Sequence, residues 1–383
     1  MKRVLLYSSG IIAEEKPSGG ELRFLELAKY MAGREDTDLC CADDNDTLRP
    51  LELQANIQMK RSDGAPAFLP GEARILITNR DSLKRIAKGR YHAVIAFDVP
   101  PSIGLVLSGV KNIVLMIRKD LIGYENVKNS GTSWKKKTRI LYQWLCESVC
   151  LRNAKQVICQ CVYDRDTILN RHPLLRRKLI PKFEIQINNV NPSWIVQRAQ
   201  EAGAEKTGEE ETQHSVFRVC FIGGFDDLRK GQELFLRAAE HLTKEIDDME
   251  FLLIGGGKNL SNYQDRYESD RIRFLGRMDN PIKILKDCDL LAVPSLADSC
   301  PNTVMEALYT NVPVIGSRTG GIPEILEDDE ALFSPDWESL VNRIIYYYRD
   351  RSAYLRLKEK QKKRREELSF DWAESITKLI FRE

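Results

Sequence analysis

The chain has few histidines and no orderly cysteines. Only four histidines occur in 383 residues, and nine cysteines fall at Cys40, Cys41, Cys146, Cys150, Cys159, Cys161, Cys220, Cys288 and Cys300. An odd, scattered set without paired spacing excludes a disulfide framework and a sequence-local zinc site, and it reads as reduced, mostly packed thiols. A large charge of either sign is missing too: 58 basic and 56 acidic side chains give a formal net charge of +2, which argues against nucleic acid as the main partner. No apolar run reaches the length of a membrane span, and the opening "MKRVLLYSSG" turns polar too soon for a secretion signal. A cytoplasmic protein, at most attached to the inner face of the membrane, is expected. The acids of "DGAP", "CADDND" and "DCDLL" read as loop and strand-edge acids with no accompanying cluster, so neither a metal nor a cofactor is expected.

What is present is a folded composition, 43% apolar and 30% charged, on a chain long enough for two cores. Short apolar runs recur: "RVLLY", "ARILIT", "HAVIAF", "NIVLMI" and "KQVIC" in the first half, "FRVCFIG", "MEFLLIG", "DLLAVPS" and "VPVIGS" in the second. They do not alternate with polar residues, so each is expected to be a strand buried on both faces of a parallel sheet. Amphipathic stretches such as "GELRFLELAKYMA" and "GQELFLRAAEHLTKEI" lie between them, which is the grammar of a doubly wound sheet. Residues 200–215 are polar and Glu-rich and divide the two sets of strands as a linker. The expected domains are 1–199, 216–368, and a terminal helix from 369 whose apolar face, Phe370, Trp372, Ile376 and Ile380, needs a partner surface.

Ligands of such folds bind at the carboxyl ends of the strands, where this sequence puts glycines and polar residues. "PSGGELR" brings Gly19 and Gly20 directly into a helix, and "CFIGGFDDLRKGQELF" runs from a strand through Gly223 and Gly224 to Arg229 and Lys230 at a helix start. Small residues there let backbone N–H groups approach an anion, and a cation can neutralise a phosphate. Taken singly, each is as well read as a turn. "DSCPNTVMEALYTNVPVIGSRTGGIPEIL" says more. Asp298 ends a loop, Ser299, Cys300, Pro301, Asn302 and Thr303 lead into a helix carrying Glu306, and Gly320 and Gly321 open another with Glu324. Two helix starts with free N–H groups form a place for a diphosphate or for sugar hydroxyls.

This compound segment resembles the retaining glycosyltransferases of family 4, whose C-terminal domains carry two Glu residues separated by seven, followed by a strand and a Gly-Gly-x-x-Glu turn. The resemblance extends to "RKGQELFLRAAEHL" and "RIRFLGRMDNPIKILKDCDLLAVPS", and more loosely to "PSGGELRFLELAKYM", "IVLMIRKDL" and "INNVNPSWI". It implies the GT-B fold: two Rossmann-like doubly wound parallel-sheet domains facing a central cleft, with the C-terminal helix crossing back to the N-terminal domain. It also implies a metal-independent transfer from a UDP- or GDP-linked sugar, a substrate and not a cofactor, to a glycan or lipid-linked acceptor, as in bacterial cell-surface polysaccharide synthesis.

Carried over by position, Asp298 replaces the family's first Glu near the reacting end of the sugar, and Glu306 matches the Glu that holds the ribose. Lys230, helped by Arg229, meets the diphosphate; Gly19 and Gly20 match the glycine turn facing the reacting centre; Gly276 and Arg277 match the nucleobase region. Three departures stand out: Asp298 is one methylene short of Glu, Phe225 stands where the family often has Arg, and Arg118 stands on the acceptor side where many members have His. An epimerase of the same fold, or a donor-binding subunit without catalysis, are the alternative readings. Residues 131–152, with Trp134, Tyr142, Trp144 and Lys135 to Lys137, read equally as a membrane-surface helix and as one with a wet basic face and an apolar core face.

Overall fold

In a computed structural model of the chain, residues 2–11, 19–42, 57–60, 71–128, 134–204 and 216–382 are described. They form two compact units, one of Met1–Glu125, Gly131–Gln186 and Asp371–Glu383, the other of Asn126–Ser130 and Ile187–Phe370.

The first unit runs β1 (Arg3–Ile11), α1 (Gly19–Ala32), β2 (Asp36–Ala42), β3 (Ile57–Gln58), α2 (Gly71–Thr78), α3 (Arg80–Lys88), β4 (Ala93–Phe97), α4 (Val99–Leu107), β5 (Ile113–Ile117), α5 (Leu121–Lys128), α6 (Trp134–Asn153), β6 (Gln156–Cys159), α7 (Val162–Arg171), α8 (Arg176–Leu179) and β7 (Phe183–Ile185). Its seven strands pair in the order β3-β2-β1-β4-β5-β6-β7, all parallel. β4 and β5 are buried along their whole length. Helices on both faces leave no wet side, which is why their sequences do not alternate.

The second unit runs α9 (Ser193–Glu201), β8 (Phe217–Ile222), α10 (Gln232–Glu245), β9 (Met249–Ile254), α11 (Leu260–Tyr267), β10 (Ile272–Phe274), α12 (Ile282–Leu285), β11 (Leu290–Val293), α13 (Asn302–Tyr309), β12 (Val314–Ser317), α14 (Ile322–Leu326), β13 (Leu332–Phe333), α15 (Trp337–Arg349) and α16 (Arg351–Glu367); α17 (Trp372–Phe381) follows. Its six strands pair β10-β9-β8-β11-β12-β13, again parallel. Counted within the unit, that order is 3-2-1-4-5-6, the dinucleotide-fold order, with its switch point between β8 and β11. The core gathers Val219, Phe221, Phe251, Leu253, Leu291 and Ile315, each buried branched side chain contributing about 1.5–3 kcal/mol.

Three sequence expectations are corrected. "ARILIT" lies in helix α2: Ile75 and Leu76 pack on the core while Ile77 is exposed, as a strand covered on both faces would not allow. The strand between β1 and the sheet edge is "DTDLCCA", whose Asp38 interrupts the apolar run and hides it. Third, the units divide between Gln186 and Ile187, earlier than 199, because Ile195 and Ala199 of α9 enter the second core. Residues 205–215 of the expected linker, and "DGAP" and nearly all of "CADDND", lie outside the described residues.

The partner of the terminal helix belongs to the first unit. α17 buries Trp372, Ala373, Ile376, Leu379 and Ile380 and packs against α1, with the Arg23 guanidinium 5.2 Å from the Trp372 ring centroid. Phe370, expected on the same face, packs on the second core instead. All nine cysteines are buried, and none of them forms a disulfide.

Candidate active site

The two loops that leave the switch-point strands of the second unit meet. After β8 the chain passes Gly223 and Gly224, then Asp227, whose side chain caps the turn by accepting from the Arg229 N–H at 3.3 Å. Gly231 then takes a left-handed φ of 70° to start α10, a conformation that glycine adopts at no steric cost. Its bare Cα also lies against the Pro294 carbonyl of the loop after β11, where any side chain would collide with main chain. Leu296 N–H donates to the Arg229 carbonyl at 2.6 Å, closing the two loops together.

Across that junction Lys230 Nζ donates to Asp298 Oδ2 at 2.6 Å. Neither end is freely solvated, the side chains being 25% and 14% exposed, so the ion pair is stronger than a surface pair. Arg229 is engaged differently. Its Nε and Nη2 donate to the two Asp227 oxygens at 3.0 and 2.6 Å. Burial pushes the Asp227 carboxyl up, but Arg229 outweighs it and holds the group below its usual range. The loop therefore presents Lys230 and keeps Arg229 as its brace.

Beyond Asp298, Ser299 and Cys300 are buried and Pro301 leads into α13, whose first N–H groups have no carbonyl within the helix to bond. Asn302 Oδ1 is occluded without a hydrogen-bond partner, and Thr303 is half-buried beside it. Asp298 is fixed from behind: Gly321 N–H donates to its carbonyl at 3.0 Å, and Gly320, at φ 56°, lies against the same carbonyl. One turn into α13, Glu306 is 4% exposed, and Arg198 Nη1 donates to its Oε1 at 3.3 Å. Burial pushes the Glu306 carboxyl up to about 7, against the pull of Arg198 and, more weakly, Lys230. Gly276, at φ 67°, accepts from Gly255 N–H at 2.9 Å, and Arg277 lays its stem against Gly256, so both sit at the carboxyl ends of β9 and β10.

Phe225 is fully buried among Phe221, Tyr263 and Phe274. The position where the family often carries a cation is a core position in this chain.

Gly19, Gly20 and Arg118 belong to the first unit. Arg118, just past β5, donates Nη2 to Asp98 Oδ2 at 2.6 Å, and its guanidinium lies over the start of α1, where a Cβ on Gly20 would stand 3.1 Å from its Cζ. Asp98, past β4, has φ 65°, a left-handed value that costs energy outside glycine. Sequence reasoning missed Asp98, Asp227 and Arg198. Asp98 was legible as an acid between a strand and a Pro-initiated helix; Arg198 had no signal at all.

The aromatic residues of α6 do not share one environment. Trp144 is packed, stacked on His172 at 5.3 Å between centroids and donating Nε1–H to the Arg171 carbonyl at 3.1 Å. Trp134, Leu141 and Leu145 are 77%, 57% and 49% exposed at i, i+7 and i+11, on one side of the helix. No helix among the described residues is long and apolar enough to cross a membrane, and none of their His, Cys, Asp and Glu form a group of three or more that could hold a metal.

Two parallel-sheet units in these strand orders, with a lysine, a buried glutamate and a helix start at one switch point, define the GT-B fold class. Residues 216–350, about a third of the chain, match the family described as Glycosyl transferases group 1. It is 31% identical over 113 residues to the N-acetyl-alpha-D-glucosaminyl L-malate synthase of Bacillus anthracis, covering 28% of this chain and 29% of that protein. With the phosphatidyl-myo-inositol mannosyltransferase of Mycobacterium leprae it shares 27% identity over 147 residues, 37% of each chain. The chain thus aligns with about a third of the length of these relatives. In structure it resembles the sucrose-phosphate synthase of Thermosynechococcus elongatus, with a TM-score of 0.72 at 18% identity over 99% of this chain and 98% of that one. The Anabaena protein HepE in complex with UDP-glucose has the same fold, with a TM-score of 0.65, 18% identity and coverage of 99% and 98%.

Proposed function

We propose that the chain is a retaining, metal-independent glycosyltransferase that moves a hexose from a nucleotide-sugar to a glycan or lipid-linked acceptor, in the cytoplasm, for bacterial cell-surface polysaccharide. The observation that carries the reading is the Lys230–Asp298 bond of 2.6 Å, which joins the two switch-point loops beside the start of α13. Departure of the sugar leaves negative charge on the diphosphate and positive charge on the ring. Lys230, the glycine-turn amides and the first N–H groups of α13 meet the first charge. Asp298, released when Lys230 takes a phosphate oxygen, faces the second. Glu306 accepts from the ribose hydroxyls, and Gly276 and Arg277 receive the base.

In the first unit, Gly19, Gly20 and Arg118 serve the acceptor and the reacting end of the donor. The exposed Trp134, Leu141 and Leu145, with Lys136 and Lys137 on the same helix, favour an acceptor held at a membrane surface. HepE was solved with UDP-glucose, so a UDP-linked hexose is the first donor to test. Incubating the pure protein with a panel of nucleotide-sugars separates transfer or hydrolysis, expected here, from interconversion by an epimerase and from binding alone. Glu306→Ala is expected to abolish transfer with the fold intact; undiminished turnover refutes the assignment.

A further inference from the structure

Glu306 sits at the ribose end of the proposed donor site, yet it is buried in an environment that disfavours its charge. A neutral carboxylic acid is a weaker partner for two hydroxyl donors than a carboxylate is. Something must keep the proton off. The charged and titratable groups facing Glu306 are Arg198 from α9, Lys230 from the turn before α10, and the buried Cys220 thiol of β8. Lys230 is committed to Asp298, so Arg198 is the cation in hydrogen-bond contact.

Arg198 is itself held in place from two sides. Its guanidinium lies 5.3 Å from the ring centroid of Trp194, one turn earlier on α9. Its carbonyl accepts from Asn280 Nδ2 at 2.7 Å, and Asn280 is buried. An arginine held at its guanidinium and at its backbone has few rotamers left to lose when it binds a carboxylate. It engages Oε1 of Glu306, and Oε2 has no hydrogen-bond partner among the described residues.

We propose that Arg198 is a positioning residue for nucleotide binding: by holding Oε1 of Glu306 it turns the carboxyl so that Oε2 receives the ribose hydroxyls. The inference rests on the reading of Glu306 as the ribose-holding group. It assigns a role to α9, which lies outside the segment from Asp298 to Glu324, and it makes nucleotide affinity depend on pH through one half-buried pair.

The test is calorimetric binding of UDP and of 2′,3′-dideoxy-UDP, with the GDP pair in parallel, to the wild type, Arg198→Met and Arg198→Lys at pH 6, 7 and 9. The wild type should prefer the nucleotide with ribose hydroxyls, and increasingly so as pH rises. Arg198→Met should weaken UDP about tenfold at pH 7, the difference between a charged and a neutral acceptor, and the loss should narrow toward pH 9, where a larger fraction of the carboxyl is ionised. Its affinity for dideoxy-UDP should not change, and Arg198→Lys should restore most of the loss. An equal loss for both nucleotides at every pH, the mark of a merely structural residue, overturns the proposal, as does full retention of ribose preference in Arg198→Met. Wild-type protein that binds neither UDP nor GDP overturns the functional reading itself, a separate result from failure of Arg198 alone.

Discussion

Gly320 ties the architecture to the chemistry, and its replacement by alanine tests that link. Its φ of 56° costs a side-chain-bearing residue about 1–2 kcal/mol. A Cβ there would stand 2.8 Å from the carbonyl carbon and 3.1 Å from the nitrogen of Asp298, main-chain atoms that cannot rotate away. Relieving that overlap costs about another 1–3 kcal/mol, so Gly320→Ala should destabilise by about 2–5 kcal/mol. At about 2–4 °C per kcal/mol for a unit of this size, its unfolding transition should fall by about 4–20 °C. The matched control is Gly224→Ala, where nothing lies nearer than the Gly256 carbonyl at 3.8 Å; its stability should change by less than about 1 kcal/mol. Differential scanning calorimetry of both variants reads the shift directly. Because the Asp298 main chain must move to admit the methyl group, Gly320→Ala should also lose sugar transfer beyond its loss of folded protein at low temperature. A transition within about 2 °C of wild type would refute the claim that this glycine fixes Asp298.

Three further outcomes follow from the same geometry. Lys230→Met removes the cation that faces the leaving diphosphate and should lower kcat about 100-fold or more, read as donor consumed; near-normal turnover would discard Lys230 as the diphosphate partner. The raised carboxyl of Glu306 means that the folded state holds a proton between the ordinary carboxylate value and about 7, so this group's stability contribution is present at low pH and lost as pH rises through that window. Unfolding free energies from urea titrations should fall from pH 5 to pH 8 by about 1–3 kcal/mol more in wild type than in Glu306→Gln, and equal falls would show that Glu306 titrates normally. Sedimentation with anionic vesicles should be lost in the double variant Leu141→Ser and Leu145→Ser and reduced by Lys136→Gln with Lys137→Gln; persistence in both would remove α6 from the membrane.

Much of the sheet was legible because its interior strands are dry on both faces. β4, β5, β11 and β12 are buried residue by residue, and such strands announce themselves as unbroken apolar runs. Strands at or next to a sheet edge do not. β3 and β13 are two residues long, and β2 carries Asp38, which accepts from Tyr91 Oη–H at 2.8 Å and from Arg3 at 2.9 Å. A buried polar residue satisfied by partners distant in sequence breaks the hydrophobic pattern without breaking the strand. The helix α2 misled for the converse reason, since six residues of mixed apolar character carry no period long enough to separate 2 from 3.6.

Legibility of the site follows a similar division. Residues brought together by one turn can be read from spacing: Asp298 stands four before Asn302 and eight before Glu306, which puts a loop acid, a helix start and a buried helix acid along one short path. Lys230 sits 68 positions away from Asp298, and from sequence each took its own place, at the diphosphate and at the sugar, without being paired; the reversal of strand order at the carboxyl edge of the sheet is what brings their loops together. Arg198 is 108 positions from Glu306 and on a helix that precedes the sheet altogether, so neither spacing nor strand order points to it. A buried carboxylate nonetheless demands a cation or a proton, and that demand is visible as soon as Glu306 is known to lie on the inner side of its helix. The search for a hidden partner therefore begins from burial: the acid whose surroundings least tolerate charge is the one whose counter-charge the fold must bring from elsewhere.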